Sequence, residues 1–239
     1  MNEASTEVVS KLVDIGGREL VMARYHGGFT ALHTACMKNV SIEVVSKLIE
    51  VGGRELVMVK HSGGITALHV GCENKVSIDI ISKLLEVGGR DLVMAKCNGK
   101  TALYTAIMMN EAPIEVILKL IEFGGREIVM AAGDVKMYTL LHTVSMKRAS
   151  AEVVLKLLEV GGREFVTEKD SSGGSTALYF ACTNKTPIRI VSKFIEVGGK
   201  ELIMRKFSGG LNALHIACAN GASFEVISKL LEVGVKILL

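Results

Sequence analysis

Six copies of one seven-residue motif run through the chain and constrain its fold more than any other feature. They are Thr30-Ala-Leu-His-Thr-Ala-Cys36, Thr66-Ala-Leu-His-Val-Gly-Cys72, Thr101-Ala-Leu-Tyr-Thr-Ala-Ile107, Thr139-Leu-Leu-His-Thr-Val-Ser145, Thr176-Ala-Leu-Tyr-Phe-Ala-Cys182 and Asn212-Ala-Leu-His-Ile-Ala-Cys218. Their first residues stand 36, 35, 38, 37 and 36 apart. A second motif follows each copy, for example Ile42-Glu-Val-Val-Ser-Lys-Leu-Ile-Glu-Val51 and then a Gly pair, and an extra copy of it opens the chain at Thr6. From the opening Thr or Asn to the first Gly is 22 residues in five repeats and 23 in the third, whereas that Gly to the next opening residue varies from 13 to 15. Packed helices cannot absorb an insertion without turning their apolar face away, while a surface turn can. The constant block is therefore core, and the variable part is a protruding connection.

Within the block, Leu32, Ala35 and Cys36 fall at i, i+3 and i+4, on one side of a short first helix capped by the Thr30 hydroxyl. Ala31 and Ala35 allow a neighbouring helix to approach closely. A second helix opens at Ser41, with Glu43 in its first turn to suit the positive end of the helix dipole, and Pro113 and Pro187 stand where other copies have Ser. Val44, Val45, Leu48 and Ile49 put apolar groups on two adjacent sides, so each unit needs its neighbours to fold. The Gly pair reads as a left-handed cap that stops this helix. Arg54-Glu-Leu-Val-Met58 comes next, apolar enough for an extra helical turn, before a polar tip such as Lys60-His-Ser-Gly-Gly64.

Composition agrees with a folded chain: of 239 residues 49% are hydrophobic and 22% charged, with both signs present. Mean hydropathy is +0.39, yet no apolar run approaches the roughly 18 residues of a spanning helix, so no membrane partner is expected. The net charge of +3 is too small to argue for nucleic acid. Residues 1–12 lack the basic flank and apolar block of a secretory signal, which points to an intracellular address, the cytoplasm. Four of the five cysteines, Cys36, Cys72, Cys182 and Cys218, share one repeat position, as small reduced core residues do.

The Thr-x-Leu-His-x-Ala signature, the helix pair, the Gly stop and the finger together resemble the ankyrin repeat along essentially the whole chain. Two features depart from the family: Ala or Leu replaces the usual Pro after Thr, and the unit is about three residues longer than the family's roughly 33. The resemblance implies an all-α solenoid of stacked antiparallel helix pairs with protruding finger loops, whose concave finger and first-helix surface binds proteins. It implies a single array, with an opening half repeat at 1–28 and repeats at about 29–64, 65–99, 100–137, 138–174, 175–210 and 211–239.

Two chemical readings fail on the residues. His33 with Cys36, His69 with Cys72 and His215 with Cys218 have metal-capable spacing, but successive repeats stand on the order of 10 Å apart, too far for about four ligands at 2.0–2.3 Å. The Gly-Gly-Arg-Glu stretches end helices and lack the Gly-Lys-Ser/Thr continuation of a phosphate loop. No cofactor and no enzymatic activity are expected.

Other positions point to a protein partner. A basic residue recurs at the finger base (Arg24, Lys60, Lys96, Lys169, Lys206), joined by Arg205, Lys147 and Arg148. Glu168, Asp170 and Asp134 interrupt this set, so it reads either as a stripe for an acidic partner or as solubilising charge. His61 sits on a finger tip, and Tyr25 and Phe207 on others; Phe180 fills a variable first-helix slot, and Met37, Met108, Met109 and Met146 lie near first-helix ends. Aromatic residues, Met and Arg are favoured at interface cores, while the methionines serve equally for packing between repeats. The candidate surface is thus Arg24, Tyr25, Lys60, His61, Met146, Arg148, Phe180, Arg205 and Phe207. The junction at 131–137 lacks the Gly-Gly tip and is either a specialised contact or a degenerate repeat. The chain opens on a second helix and closes on Ile237-Leu-Leu239, so it is a fragment of a longer array or its ends meet another copy end to end. Two functions remain: a non-enzymatic protein-binding scaffold, or an architectural or regulatory segment of a larger enzyme or signalling protein with no ligand of its own.

Overall fold

The computed structural model describes residues 3–108, 112–131, 138–147, 149–171 and 174–235. It divides into two compact units, Met1–Ala131 and Ala132–Leu239. The first holds α1 (Glu3–Met22), then the pairs α2 (Ala31–Met37) with α3 (Ile42–Met58), α4 (Ala67–Glu73) with α5 (Ile78–Val93), and α6 (Ala102–Met108) with α7 (Ile114–Ala131). The second holds α8 (Leu140–Lys147) with α9 (Ala151–Thr167), α10 (Ala177–Thr183) with α11 (Ile188–Met204), and α12 (Ala213–Ala219) with α13 (Phe224–Val235). In each unit the short first helices pack side by side in one layer and the long second helices in another. The fold is all-α and built of stacked helix pairs.

The predicted core positions form it. Leu32, Ala35 and Cys36 are buried on α2, and Val44, Val45, Leu48 and Ile49 on α3 are all at most 5% exposed. Burial of each such Val, Leu or Ile contributes roughly 1.5–3 kcal/mol. Small residues let first helices approach: Ala67, Ala102, Ala106 and Ala177 are almost fully covered.

The His of the motif ties one repeat to the next. The Thr30 N–H donates to His33 Nδ1 at 3.3 Å, so that nitrogen carries no proton, and Nε2–H donates to the Ile65 carbonyl of the following finger at 3.3 Å. The Thr30 hydroxyl also lies 2.9 Å from Nδ1, completing a capping box. His69 makes the same link to the Lys100 carbonyl at 3.2 Å and His142 to the Ser175 carbonyl at 3.0 Å. Tyr179 replaces the His in another repeat, and there the buried Thr176 hydroxyl has no partner.

The Gly pairs correct the sequence reading. They do not stop the second helix with a left-handed cap; the helix breaks direction and resumes for another turn. Gly53 has φ 62° and ψ −161°, far from the left-handed helical well and in a region essentially restricted to glycine. Gly52 is helical, and a Cβ there would lie 2.6 Å from Leu56 Cβ. The resumed turn buries Leu56 and Val57 completely, which explains why the repeat is longer. Its Arg reaches the acidic residue of the next repeat: Arg18 pairs with Glu55, Arg54 with Asp91 at 2.5 Å and Arg90 with Glu127 in the first unit, and Arg163 with Glu201 at 3.2 Å in the second. Exposed pairs of this kind contribute about 0–1 kcal/mol each, so the ladder adds little to stability.

The fingers of the first unit are tight hairpins. The first closes on the bridge between Tyr25 and Phe29, and another is the two-stranded ribbon β1 (Lys96–Cys97) and β2 (Lys100–Thr101). Cys36, Cys72 and Cys182 are buried thiols as expected, but Cys218 is exposed because no described element packs over that face of α12. The junction segment 132–137, Met109, Arg148 and Ile237-Leu-Leu239 lie outside the described residues.

Candidate partner-binding surface

In the first unit the structure brings Arg24, Tyr25, Lys60 and His61 together on adjacent fingers. The finger backbones lock to each other, since Ser62 N–H donates to the Gly27 carbonyl at 2.7 Å. Phe29, which the sequence reading did not single out, is the hub. Its ring stacks on His61 with centroids 4.4 Å apart and touches Tyr25 at 5.7 Å and His33 at 5.6 Å. Tyr25 is 52% exposed, and its hydroxyl is held 3.0 Å from Thr34 Oγ1, so the ring is presented in one orientation.

His61 is half-buried. Its Nδ1 accepts from Gly63 N–H at 2.9 Å, while Nε2 points inward without a partner, so its ring serves the finger framework and shows only an edge outward. Arg24, Lys60 and Lys96 are exposed, and none forms an ion pair among the described residues. Their shared position repeats because the finger hairpin repeats.

In the second unit an aromatic cluster replaces this arrangement. Phe180 is half-buried, edge-on to Tyr138 and His142 at 5.7 Å each and to Tyr179 at 5.2 Å. Phe207, expected on an exposed finger, is only 6% exposed; its ring packs edge-on against Tyr179 at 5.0 Å. That expectation is corrected: the Tyr179 that replaces the motif His draws Phe207 inward to cover it. Arg205 is half-buried and pairs with Glu201 at 3.0 Å, within one helical turn. Met146 is half-buried at the end of α8, and Asp170 is buried, its carboxylate accepting from Ser175 N–H at 3.0 Å. Arg148 lies outside the described residues.

The motif histidines and buried thiols of the described residues are engaged in holding the fold. Both nitrogens of His33, His69 and His142 are committed to the capping and inter-repeat bonds described above. Burial holds the pKa of each below the ordinary 6.5, against the opposing pull of the carbonyl each one bonds. Burial raises the Cys36 and Cys182 thiols to about 12, so they stay protonated and inert. No group of three or more His, Cys, Asp and Glu capable of holding a metal occurs among the described residues, nor is any described helix long and apolar enough to cross a membrane.

A family model of ankyrin repeats, in three copies, matches residues 140–239. No curated protein matches the sequence closely enough to count as a relative. Solved structures are similar in fold at low identity. The ankyrin repeat domain of human ASB11 is 19% identical, with a TM-score of 0.63, covering 97% of this chain and 97% of that one. The ankyrin repeat domain of Bcl-3, a member of the IkappaB protein family, is 23% identical with a TM-score of 0.66, covering 88% and 87%. A chain from the complex of the Bd0816 predatory endopeptidase of Bdellovibrio bacteriovorus with the immunity protein Bd3460 is 20% identical with a TM-score of 0.62, covering 84% and 97%. Residues 140–239 thus belong to the ankyrin repeat family, and the helix pairs of both units carry the ankyrin repeat fold.

Proposed function

We propose that the chain is a non-enzymatic scaffold that holds a protein partner on its finger and first-helix surface inside the cell. The observation that carries this reading is the row formed by Arg24, Tyr25, Lys60 and Lys96. Three cations without an ion pair among the described residues and one fixed, half-exposed aromatic ring stand on neighbouring hairpins, the first two locked through Ser62 N–H to the Gly27 carbonyl and the third held by Cys97 Sγ on the Gly63 carbonyl. A rigid ring supplies interface area at low entropic cost, and unpaired cations select a partner with carboxylates at matching spacing. Phe180, Met146 and Arg205, each half-buried, are further candidate positions in the other unit. One of the similar structures is itself a complex of two proteins, an endopeptidase and an immunity protein.

Affinity capture with the intact chain, compared with Tyr25→Ala and with Lys60→Glu/Lys96→Glu, tests the reading. A scaffold retains a protein that both variants lose, and raising the salt weakens its retention. A chain that retains nothing, or whose captured proteins are indifferent to both variants and to salt, is instead an architectural segment.

A further inference from the structure

The fingers of the first unit carry charge of one sign. Segments 23–29, 59–65 and 95–100 hold Arg24, Lys60, Lys96 and Lys100 and no Asp or Glu. Acids of that unit stand on the second helices, for example Glu43 and Glu55 on α3 and Asp79 and Asp91 on α5. The second unit does not share this segregation, since its finger at 168–175 includes Glu168 and Asp170. Arg24, Lys60 and Lys96 also occupy one place in the hairpin, directly before the residue that closes it. Tyr25 N–H donates to the Phe29 carbonyl at 2.9 Å, His61 N–H to the Ile65 carbonyl at 3.1 Å, and Cys97 pairs with Lys100. All three cations are exposed and have no ion pair among the described residues. The Lys100 ammonium is engaged otherwise, 5.2 Å from the centroid of the Tyr104 ring.

The step from one cation to the next selects the backbone that can follow the row. Successive repeats stand about 10 Å apart. An α-helix covers that step in about seven residues, but a docked helix anchors through an apolar stripe. Among the described finger residues of this unit, Tyr25 is the one large apolar side chain that is exposed. A β-strand covers the step in about three residues and then points the third side chain away, because its side chains alternate. A polyproline II segment rises about 3.1 Å per residue with three residues per turn, so every third side chain returns to one face after about 9 Å. That conformation matches the step and needs no apolar groove.

We propose that the fingers of the first unit bind an extended acidic segment of the partner protein, in polyproline II conformation, with a carboxylate at every third residue. Carboxylates at i, i+3 and i+6 face Arg24, Lys60 and Lys96, and a proline between them packs on the fixed ring of Tyr25. The row is held ready for such a segment. Ser62 N–H on the Gly27 carbonyl and Cys97 Sγ on the Gly63 carbonyl tie each finger to the next, so little order is lost on binding. This inference rests on the scaffold reading and adds to it the conformation and the charge spacing of what is bound.

The test uses the intact chain at low salt and a fluorescein-labelled peptide of four Glu-Pro-Pro triplets, read by fluorescence polarisation. One-to-one saturable binding is expected, at least fivefold tighter than for a peptide of the same composition with its glutamates grouped together. Lys60→Glu, at an exposed side chain, should weaken binding at least tenfold while leaving the circular dichroism spectrum unchanged. That variant should in turn prefer a peptide with lysine in one internal triplet, which the unaltered chain binds less well than the all-glutamate peptide. The proposal is overturned if the grouped peptide binds as tightly, if an acidic helix with glutamates seven residues apart binds better, if oligothymidylate of equal charge displaces the peptide at the same concentration, or if no acidic peptide binds. The scaffold reading outlives such a result when affinity capture still retains a protein that Lys60→Glu/Lys96→Glu loses. Both fall when capture is indifferent to the finger variants as well.

Discussion

Three Gly→Ala changes in the second unit, chemically identical, should differ in outcome because their surroundings differ. At Gly198 an added Cβ would lie 2.5 Å from Leu202 Cδ2, 2.8 Å from Leu202 Cβ and 3.0 Å from Val166 Cγ1. Leu202 is fully buried, so its methyl cannot swing away, and its Cβ is fixed to the backbone. Overpacking of this kind costs about 1–3 kcal/mol, offset by up to about 1 kcal/mol that alanine gains over glycine in a helix. A net loss of about 1–2 kcal/mol is expected. At Gly199 nothing lies within 4 Å, but φ is 64° and ψ is −160°. Alanine there incurs about 1–3 kcal/mol of backbone strain, so the net loss is about the same by a different route. Gly234 occupies the position of the first glycine of the pair in the last repeat, is followed by Val235, and has nothing within 4 Å among the described residues. There alanine should be neutral or stabilise by up to about 1 kcal/mol.

Urea unfolding followed by far-UV circular dichroism reads these differences as midpoint shifts at constant slope. A fourth variant separates strain from capping. Asparagine tolerates the left-handed helical well but has no advantage near ψ −160°, so Gly199→Asn should lose as much as Gly199→Ala. Rescue by asparagine would mean the pair is an ordinary cap. If all three alanine variants fall within about 0.5 kcal/mol of one another, which is typical of surface changes, the account of the kink is wrong.

Further outcomes follow from the histidine links, the threonines and the thiols. Since folded His33, His69 and His142 titrate below 6.5, the unfolded chain takes up protons first as the pH falls. Their contribution is fully present above about 6.5 and is lost toward the depressed folded values, by at most about 1.4 kcal/mol per pH unit for each His. Glu168, whose carboxyl burial raises from 4.5, acts in the opposite direction at the acid end. The urea midpoint should therefore drop on going from neutral pH to one unit below 6.5, and a flat profile would contradict the links. Thr66→Val removes the hydroxyl beside His69 Nδ1 and should cost about 1–2 kcal/mol, whereas Thr176→Val removes an unpartnered buried hydroxyl and should be neutral or stabilising, both by thermal unfolding. With a thiol reagent, Cys218 should react at once and half-buried Cys97 more slowly, while Cys36, Cys72 and Cys182 react only on unfolding, as counted by mass spectrometry.

The candidate surface was legible in part. Arg24, Tyr25 and Lys60 were readable because they recur at one offset from a motif whose helices cannot shift, so their exposure follows from the repeat. Phe207 was misread because its burial depends on Tyr179 on the short first helix α10, a contact between residues 28 apart in sequence that no local pattern encodes. Phe29 was missed for the same reason: its role comes from a ring on the next finger.

Sequence alone determined the helix pairs, their apolar faces and the division into a constant block and variable fingers, because period and spacing are local properties that repetition reports six times over. The tertiary structure decided the rest. Gly53 breaks the helix in a glycine-only conformation and lets it resume, since Leu56 and Val57 find a buried site there that a simple cap would have denied them. His33 became a neutral link between repeats because a carbonyl from the next finger lies within reach of its second nitrogen. Both depend on what the neighbouring repeat places alongside, and that is a fact of packing.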